Sequence, residues 1–154
     1  MRLALSRPPT VLQVEEANSY AYIATLTNHL YITEQTSNIL KRRTAIFAAP
    51  ILTDTRSLKK ARYLRRWGRR LTEFGLSSED AIVLAFGSFG LDVESETVGV
   101  DAIITTDIRL ADRYKQRSPE INNRFNDMIT NLPEAYMQIR LPQVLTTATV
   151  LTFV

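Results

Sequence analysis

The sequence of 154 residues lacks several residue types, and each absence excludes a class of structure. There is no cysteine, which excludes disulfide bridges, thiolate zinc sites and cysteine nucleophiles. No window reaches the roughly 18 uninterrupted apolar residues of a membrane-spanning helix, and the first ten residues contain no apolar core of signal-peptide length. We therefore expect a single domain over residues 1–154, in the cytoplasm and without a membrane partner.

Histidine and glycine are scarce as well. The single histidine, His29, precedes a predicted strand and has no nucleophile and base arranged around it, which indicates a packing or surface role. The five glycines form neither of the two common phosphate-binding loops. The sequence therefore argues against a serine-type triad and against a nucleotide-binding loop.

Charge is present, but it is unevenly distributed. The net charge is only +3, yet eleven of the 19 basic residues lie between Lys41 and Arg70, where Asp54 is the single acid. The rest of the chain is acidic on balance. This polarisation predicts a polyanionic partner, most simply a nucleic acid, on the basic side of the protein.

The basic segment "TRSLKKARYLRRWGRRLTEFG" predicts an amphipathic helix. Its apolar residues recur close to the helical period from Leu58 through Leu64 and Trp67 to Leu71, and Gly75 is a natural terminator. The basic helix is expected over residues 56–70. Five of its arginines are candidate contacts to nucleic-acid phosphates: Arg62, Arg65, Arg66, Arg69 and Arg70.

Other roles remain open for this segment. The arginines are equally compatible with a solvated helix face. Tyr63 and Trp67 are close enough in sequence to these arginines for bases to stack on them, but the spacing of Trp67 also fits the buried stripe.

Strands and helices alternate along the rest of the chain, which predicts a parallel sheet covered on both faces. The expected strands are "RLAL", "HLYIT", "GVDAIIT" and "EAYMQIRL". The expected helices are "EQTSNILKRR", "LSSEDAIVLAFGSFG", "DIRLADRYKQR" and "SPEINNRFNDMITN", the last with Ser118 as N-cap and Pro119 at its first position. The tail, residues 142–154, is compatible with either helix or strand.

Two aspartates, Asp80 and Asp107, lie near the starts of predicted helices. Asp107 follows a predicted strand, and Asp80 lies one turn into a predicted helix. At the carboxyl edge of a parallel sheet, two carboxylates can share a hard divalent cation, which polarises phosphate and activates water. Helix capping is the alternative, because Ser77 and Asp80 have capping-box spacing and Asp107 fits an N-cap.

The runs "GLSSEDAIVLAFGSFG" and "GVDAIITTDIRLA" together resemble the carboxyl half of the PIN-domain family. In that family a Gly-rich entry, an Asp-Ala helix and a strand ending in Thr-x-Asp form a metal-binding edge. Weaker resemblance extends to "RLALS", "LYITEQTSNILKRR" and "MQIRL". The resemblance implies a three-layer α/β/α fold around a central, mostly parallel sheet of four to five strands.

The resemblance also implies a site and a chemistry. Asp80 and Asp107 match two of the family's metal-binding acids, and Thr105 matches the accompanying hydroxyl. Many PIN domains are ribonucleases that use Mg or Mn, and the toxins of bacterial toxin–antitoxin pairs are a large group among them. Homodimers and an antitoxin-like partner protein are therefore implied as well.

The first half of the sequence departs from the family pattern. The first-strand acid would fall near Ser6 and the acid of the next helix near Ile39, and neither residue is a carboxylate. The acids that could replace them are otherwise expected to be surface charges: Glu15, Glu16, Glu34, Asp92, Glu94 and Glu96. Because two close cations need enough negative charge around them, we expect one weakly held ion.

Two functions follow from these observations and remain open. The first is a PIN-like endoribonuclease of reduced activity that hydrolyses RNA with Mg or Mn. The second is a catalytically inactive PIN scaffold that binds RNA or a protein partner through the basic helix.

Overall fold

The computed structural model of the protein describes residues 30–33 and 55–151. The predictions for residues 1–29 and 34–54 lie outside these ranges. They include the strand "RLAL", the helix "EQTSNILKRR" and the positions of Ser6, Glu15, Glu16, His29, Glu34 and Ile39.

The chain divides into two compact units. The first comprises Met1–Ser57 with Thr146–Val154, and the second is Leu58–Leu145. The second unit lies entirely within the described residues and contains every candidate site residue. The single domain expected over residues 1–154 stays a prediction, because most of the first unit lies outside the described ranges.

Six strands form two small sheets in the described part of the chain. They are β1 (Leu30–Thr33), β2 (Thr55–Lys60), β3 (Gly90–Asp92), β4 (Thr97–Val98), β5 (Ala102–Thr105) and β6 (Gln143–Thr146). One sheet has the order β1-β2-β3-β4, and the other contains β5 and β6. Both β2–β3 and β3–β4 are antiparallel, with Lys59 opposite Leu91 and Leu91 opposite Val98. The fold is mixed α/β, and in this region it differs from the predicted parallel sheet.

Five α-helices and one short 3₁₀ helix complete the described secondary structure. They are α1 (Leu64–Thr72), α2 (Ser78–Phe89), α3 (Ile108–Gln116), α4 (Ser118–Ile129) and α5 (Thr147–Leu151), with the 3₁₀ helix at Glu134–Tyr136. The predicted helices at α2, α3 and α4 and the predicted strands at β1 and β5 are confirmed. No helix within residues 30–33 and 55–151 combines the length and apolar content that crossing a membrane requires.

The basic helix is shorter than predicted. Its expected first residues form strand β2, and the helix begins only at Leu64. Leu58 is buried on β2, whereas Ala61 lies just after the strand, so the spacing of three between these two residues resembles a helical repeat only by coincidence. The predicted end is close to the observed one, because Gly75 adopts φ +76° just after the helix.

The second half of the chain holds two further corrections. The predicted last strand, residues 134–141, begins instead with the 3₁₀ helix after Pro133, and the strand lies later, at β6. The undecided tail contains both structures, since β6 passes directly into α5. Ser118 is the first residue of α4 rather than its N-cap, which is Arg117.

The core of the second unit forms where α1, α2 and α4 pack together. Trp67 is fully buried, and its ring meets Phe125 edge-on at 5.1 Å between centroids. A Cβ at Gly68 would lie 3.3 Å from Cδ1 of Ile82 and 3.6 Å from Cβ of Ala85. Gly68 therefore allows α1 and α2 to approach closely, and this contact sets the geometry of the surface beside it.

Candidate functional site

Helix α1 separates apolar and basic residues onto opposite sides. Its buried residues are Leu64, Trp67, Gly68 and Leu71. The remaining positions are Thr72 and four arginines, of which Arg65, Arg66 and Arg69 are exposed and Arg70 is half-buried. Arg62 is exposed in the preceding turn. We call these five arginines the arginine face.

The arginines of this face form no ion pair within the described residues. The ion pairs in that part of the chain are Arg117–Glu120 at 3.0 Å and Arg124–Glu73 at 3.3 Å, and neither involves an arginine of α1. Glu73 follows Arg69 by four residues, a spacing that allows an ion pair on a helix, yet it binds Arg124 of α4. The positive charge of this face is therefore directed outward.

The aromatic residues beside the arginines serve the core. Trp67 has 0% of its surface exposed, so it cannot stack on a base, and its alternative assignment to the core is confirmed. Tyr63 is half-buried and meets Tyr136 edge-on at 4.8 Å and Phe89 at 6.4 Å. Arg62 lies over the Tyr63 ring, 5.5 Å from its centroid.

An open groove of about 500 Å³ runs between α1 and α2. Its lining residues are Arg65, Gly68, Arg69, Thr72, Ser78 and Ile82. Arg65 and Arg69 are one helical turn apart and therefore lie on the same side of α1. The Thr72 hydroxyl donates a hydrogen bond to the Arg69 carbonyl at 2.7 Å. The charged hydrogen-bond donors among the lining residues are therefore the guanidinium groups of Arg65 and Arg69.

Asp80 lies in the first turn of α2. Ser77 is the N-cap, and its hydroxyl accepts a hydrogen bond from the Asp80 backbone N–H at 3.1 Å. The capping prediction is thus confirmed for Ser77, whereas the Asp80 carboxylate makes no hydrogen bond or ion pair to any described residue. At 3.6 residues per turn, Asp80 is about 160° around α2 from both Ser78 and Ile82, on the side away from the groove.

Asp107 and Thr105 are brought together at the start of α3. Asp107 is the N-cap, and its Oδ1 accepts a hydrogen bond from the Leu110 N–H at 3.1 Å. Its own backbone N–H donates to Thr105 Oγ1 at 3.0 Å. The capping prediction for Asp107 is confirmed, and its second carboxylate oxygen is not used in this cap.

Asp92 has a role that the sequence did not predict. It is 2% exposed, whereas Glu94 and Glu96 are exposed as expected. Its carboxylate accepts hydrogen bonds from the Glu94 N–H at 3.0 Å and the Ser95 hydroxyl at 2.7 Å. The Asp-x-x-Ser spacing is a signal for such a turn, and Asp92 therefore organises the β3–β4 hairpin.

Tyr114 is a second buried polar residue that sequence reasoning missed. Its hydroxyl donates to the Pro142 carbonyl at 3.0 Å and so connects α3 to the segment before β6. Burial removes water that would stabilise the phenolate, which raises the pKa of Tyr114 to about 12.

The predicted site residues lie on or just before α1, in the first turn of α2 and at the junction of β5 and α3. Arg65 and Arg69 meet at the groove, Thr105 and Asp107 meet at the start of α3, and Asp80 lies at the start of α2. Within residues 30–33 and 55–151, no three histidine or acidic side chains form a group that could hold a metal ion. Comparison of the chain with models of protein families, with curated proteins and with solved structures finds no match.

Proposed function

We propose that this protein binds RNA through the arginine face of α1. The observation that carries the proposal is a row of five arginines that have no ion-pair partner among the described residues. Each guanidinium group can give two parallel hydrogen bonds to a phosphate, and the phosphate backbone supplies a matching row of negative charges.

The arrangement of these arginines favours a polyanion over plain solvation. Arg65 and Arg69, and likewise Arg66 and Arg70, are spaced i,i+4, where like charges destabilise a helix by about 0.2–0.5 kcal/mol per pair. A polyanion relieves this repulsion at several positions together. A single small anion would relieve it at one position only.

A salt titration tests the proposal. Fluorescence anisotropy would measure the affinity of the protein for a labelled single-stranded RNA between low and physiological salt. Each phosphate contact contributes about −0.7 to the slope of log K against log salt for single strands, so five contacts give a slope of about −3.5 at most. Binding that is absent at low salt, or whose affinity does not change with salt, contradicts the proposal.

A second candidate is a PIN-like endoribonuclease that hydrolyses phosphodiester bonds in RNA. It is supported by the carboxylate of Asp80, which has no partner among the described residues, and by the second carboxylate oxygen of Asp107, which lies outside the cap. We propose with it the three-layer α/β/α fold with four to five mostly parallel strands. An antitoxin-like partner and a homodimer belong to the same proposal.

In this candidate Asp80 and Asp107 would hold one Mg or Mn ion, since these ions prefer carboxylate oxygens and retain several waters. The bound ion would polarise the phosphate. Thr105, whose hydroxyl oxygen accepts the Asp107 N–H, would hold the backbone of that aspartate in place and could donate its own proton to a water or a phosphate oxygen.

The variant Asp107→Asn distinguishes the nuclease hypothesis from the hypothesis of RNA binding without catalysis. Asparagine is as good an N-cap as aspartate, so the start of α3 is preserved while the negative charge is removed. We expect RNA cleavage in the presence of Mn by the wild type and no cleavage by Asp107→Asn or Asp80→Asn. Equal cleavage by all three proteins, or by none, contradicts the nuclease and leaves RNA binding unaffected.

A further inference from the structure

We infer that the groove between α1 and α2 takes one unpaired nucleotide of a single-stranded RNA, with its phosphate on Arg65 and Arg69 and its base against Ile82. The inference rests on the proposed RNA binding and assigns a specific place to it. The groove holds about 500 Å³, which is within the roughly 300–1,000 Å³ of small-molecule pockets.

The charged wall of the groove fits a phosphate. Arg65 and Arg69 line it from the same side of α1, and neither is in an ion pair within the described part of the chain. The unpartnered carboxylate of Asp80 is on the other side of α2, about 160° away by helical periodicity. The two guanidinium groups can therefore share one phosphate without an opposing charge from Asp80.

The wall of the groove on α2 contains the polar Ser78 and the apolar Ile82, whose side chain is 37% exposed. Gly68 lies on α1 between Arg65 and Arg69 and contributes backbone without a side chain. A Cβ at position 68 would meet Cδ1 of Ile82 at 3.3 Å, so a larger residue there would crowd the groove. This apolar surface lies beside two arginines, so a nucleotide can place its base on the apolar surface and its phosphate on the arginines.

This wall distinguishes single strands from duplexes. The bases of an RNA duplex are stacked and paired inside the helix, whereas an unpaired base can turn outward and place its flat face on a protein surface. A duplex can reach the exposed arginines with its phosphates but cannot insert a base between α1 and α2. We therefore expect the groove to contribute to single-strand binding alone.

A matched pair of substitutions on α2 tests the groove. Ile82→Glu places a negative charge in its lining, and Val83→Glu places the same charge at a neighbouring position that does not line it. The two parent side chains are 37% and 39% exposed, so both variants should fold, which circular dichroism would check. Both change the net charge equally, and glutamate is a good helix former.

Anisotropy titrations with a single-stranded RNA and a duplex of the same length would measure the outcome. We expect Ile82→Glu to weaken single-strand binding about tenfold or more, because a carboxylate would oppose the phosphate at short range. Val83→Glu should weaken it by about threefold at most, through screened long-range repulsion. Duplex binding should change equally in the two variants.

The results separate the groove from the arginine face. Equal losses of single-strand affinity in Ile82→Glu and Val83→Glu overturn the groove, while salt-dependent binding by the wild type still supports the arginine face. A loss of duplex affinity specific to Ile82→Glu also overturns the groove, because it would show that no unpaired base is required. If the wild type binds no RNA, the proposed function fails first.

Discussion

The arginine face of α1 and the two aspartates Asp92 and Asp107 differ in what they contact inside the protein. The arginines have no ion-pair partner among the described residues, whereas Asp107 caps its own helix and Asp92 closes its own hairpin. The hydrogen bonds of Asp92 and Asp107 to neighbouring residues give these two carboxylates a structural role in the fold. A row of charges that has no ion-pair partner among the described residues is available to a ligand, and for this reason we place the function on α1 first.

Removing charge from the groove side of the arginine face should have the largest effect. We expect the double variant Arg65→Gln with Arg69→Gln to weaken RNA binding about 100-fold, since hydrogen bonds to charged groups contribute about 1.5–3 kcal/mol each. The slope of log K against log salt should fall in magnitude by about 1.4 if each arginine contacts one phosphate. Anisotropy at several salt concentrations measures both quantities.

Arg117→Gln is the control for that variant, because Arg117 is exposed and already paired with Glu120 at 3.0 Å. It should weaken RNA binding by about twofold at most. If Arg117→Gln cost half as much binding free energy as the double variant, net charge alone would determine binding, and it would not matter whether an arginine is already in an ion pair.

The substitution of Asp92 should have the next largest effect, and that effect is on stability rather than on RNA binding. Asp92→Ala leaves the Glu94 N–H and the Ser95 hydroxyl without their acceptor, and we expect a loss of about 2 kcal/mol in the free energy of unfolding. Urea denaturation measures this value. Glu96→Ala, on the same hairpin and exposed, should change stability by less than about 0.5 kcal/mol.

The helix starts allow a finer comparison. Asp107→Ala should lower the free energy of unfolding by about 1 kcal/mol, because it removes the acceptor for the Leu110 N–H, whereas Asp107→Asn should lower it by only a few tenths. Asp80→Asn should have little effect, since its carboxylate has no partner in the described chain. A large loss in Asp80→Asn, seen by urea denaturation, would place Asp80 among the locally satisfied acids.

Tyr114 should affect stability only at alkaline pH. Its pKa is raised to about 12, so the folded state keeps the neutral phenol at pH values where the unfolded chain, with a pKa near 10, has lost the proton. This contribution to stability is fully present below pH 10 and is lost as pH rises through the folded pKa. Between pH 10 and 11 the loss should be slightly under about 1 kcal/mol.

The variant Tyr114→Phe isolates that contribution from the other tyrosines of the chain. Its free energy of unfolding, followed by urea denaturation from pH 8 to pH 11, should decline less steeply than that of the wild type. Parallel declines in the two proteins would show that the Tyr114 hydroxyl ionises as freely in the folded state as in the unfolded one.

The sequence predicted those elements in which several local signals agree. Helix α2 has a serine cap and a long apolar run, α3 has Asp107 at its start, and α4 has a proline in its first turn. Strand β2 was predicted as helix because the apolar spacing of the following helix continues back through Ala61 to Leu58, although Leu58 lies on the strand. The strand expected at residues 134–141 was wrong because its alternating apolar residues follow Pro133 into a 3₁₀ turn.

The candidate site was predictable only in part. Helical periodicity places the arginines outside and Trp67 inside, and both positions agree with the structure. The groove depends on the contact between Gly68 of α1 and Ile82 of α2, which no local pattern contains. The burial of Asp92 is likewise a tertiary property. Asp92, Glu94 and Glu96 all belong to the same hairpin segment, but only the first of them is buried.

The position of Trp67 makes the core observable without a label. It is the only tryptophan of the chain, it is fully buried against Phe125, and it occupies the side of α1 opposite the arginines. Its emission therefore reports whether α1 remains packed while a ligand occupies the outer surface. Binding on the arginine face should leave the emission maximum unchanged, whereas any ligand that pulls α1 from its neighbours should shift it to longer wavelength.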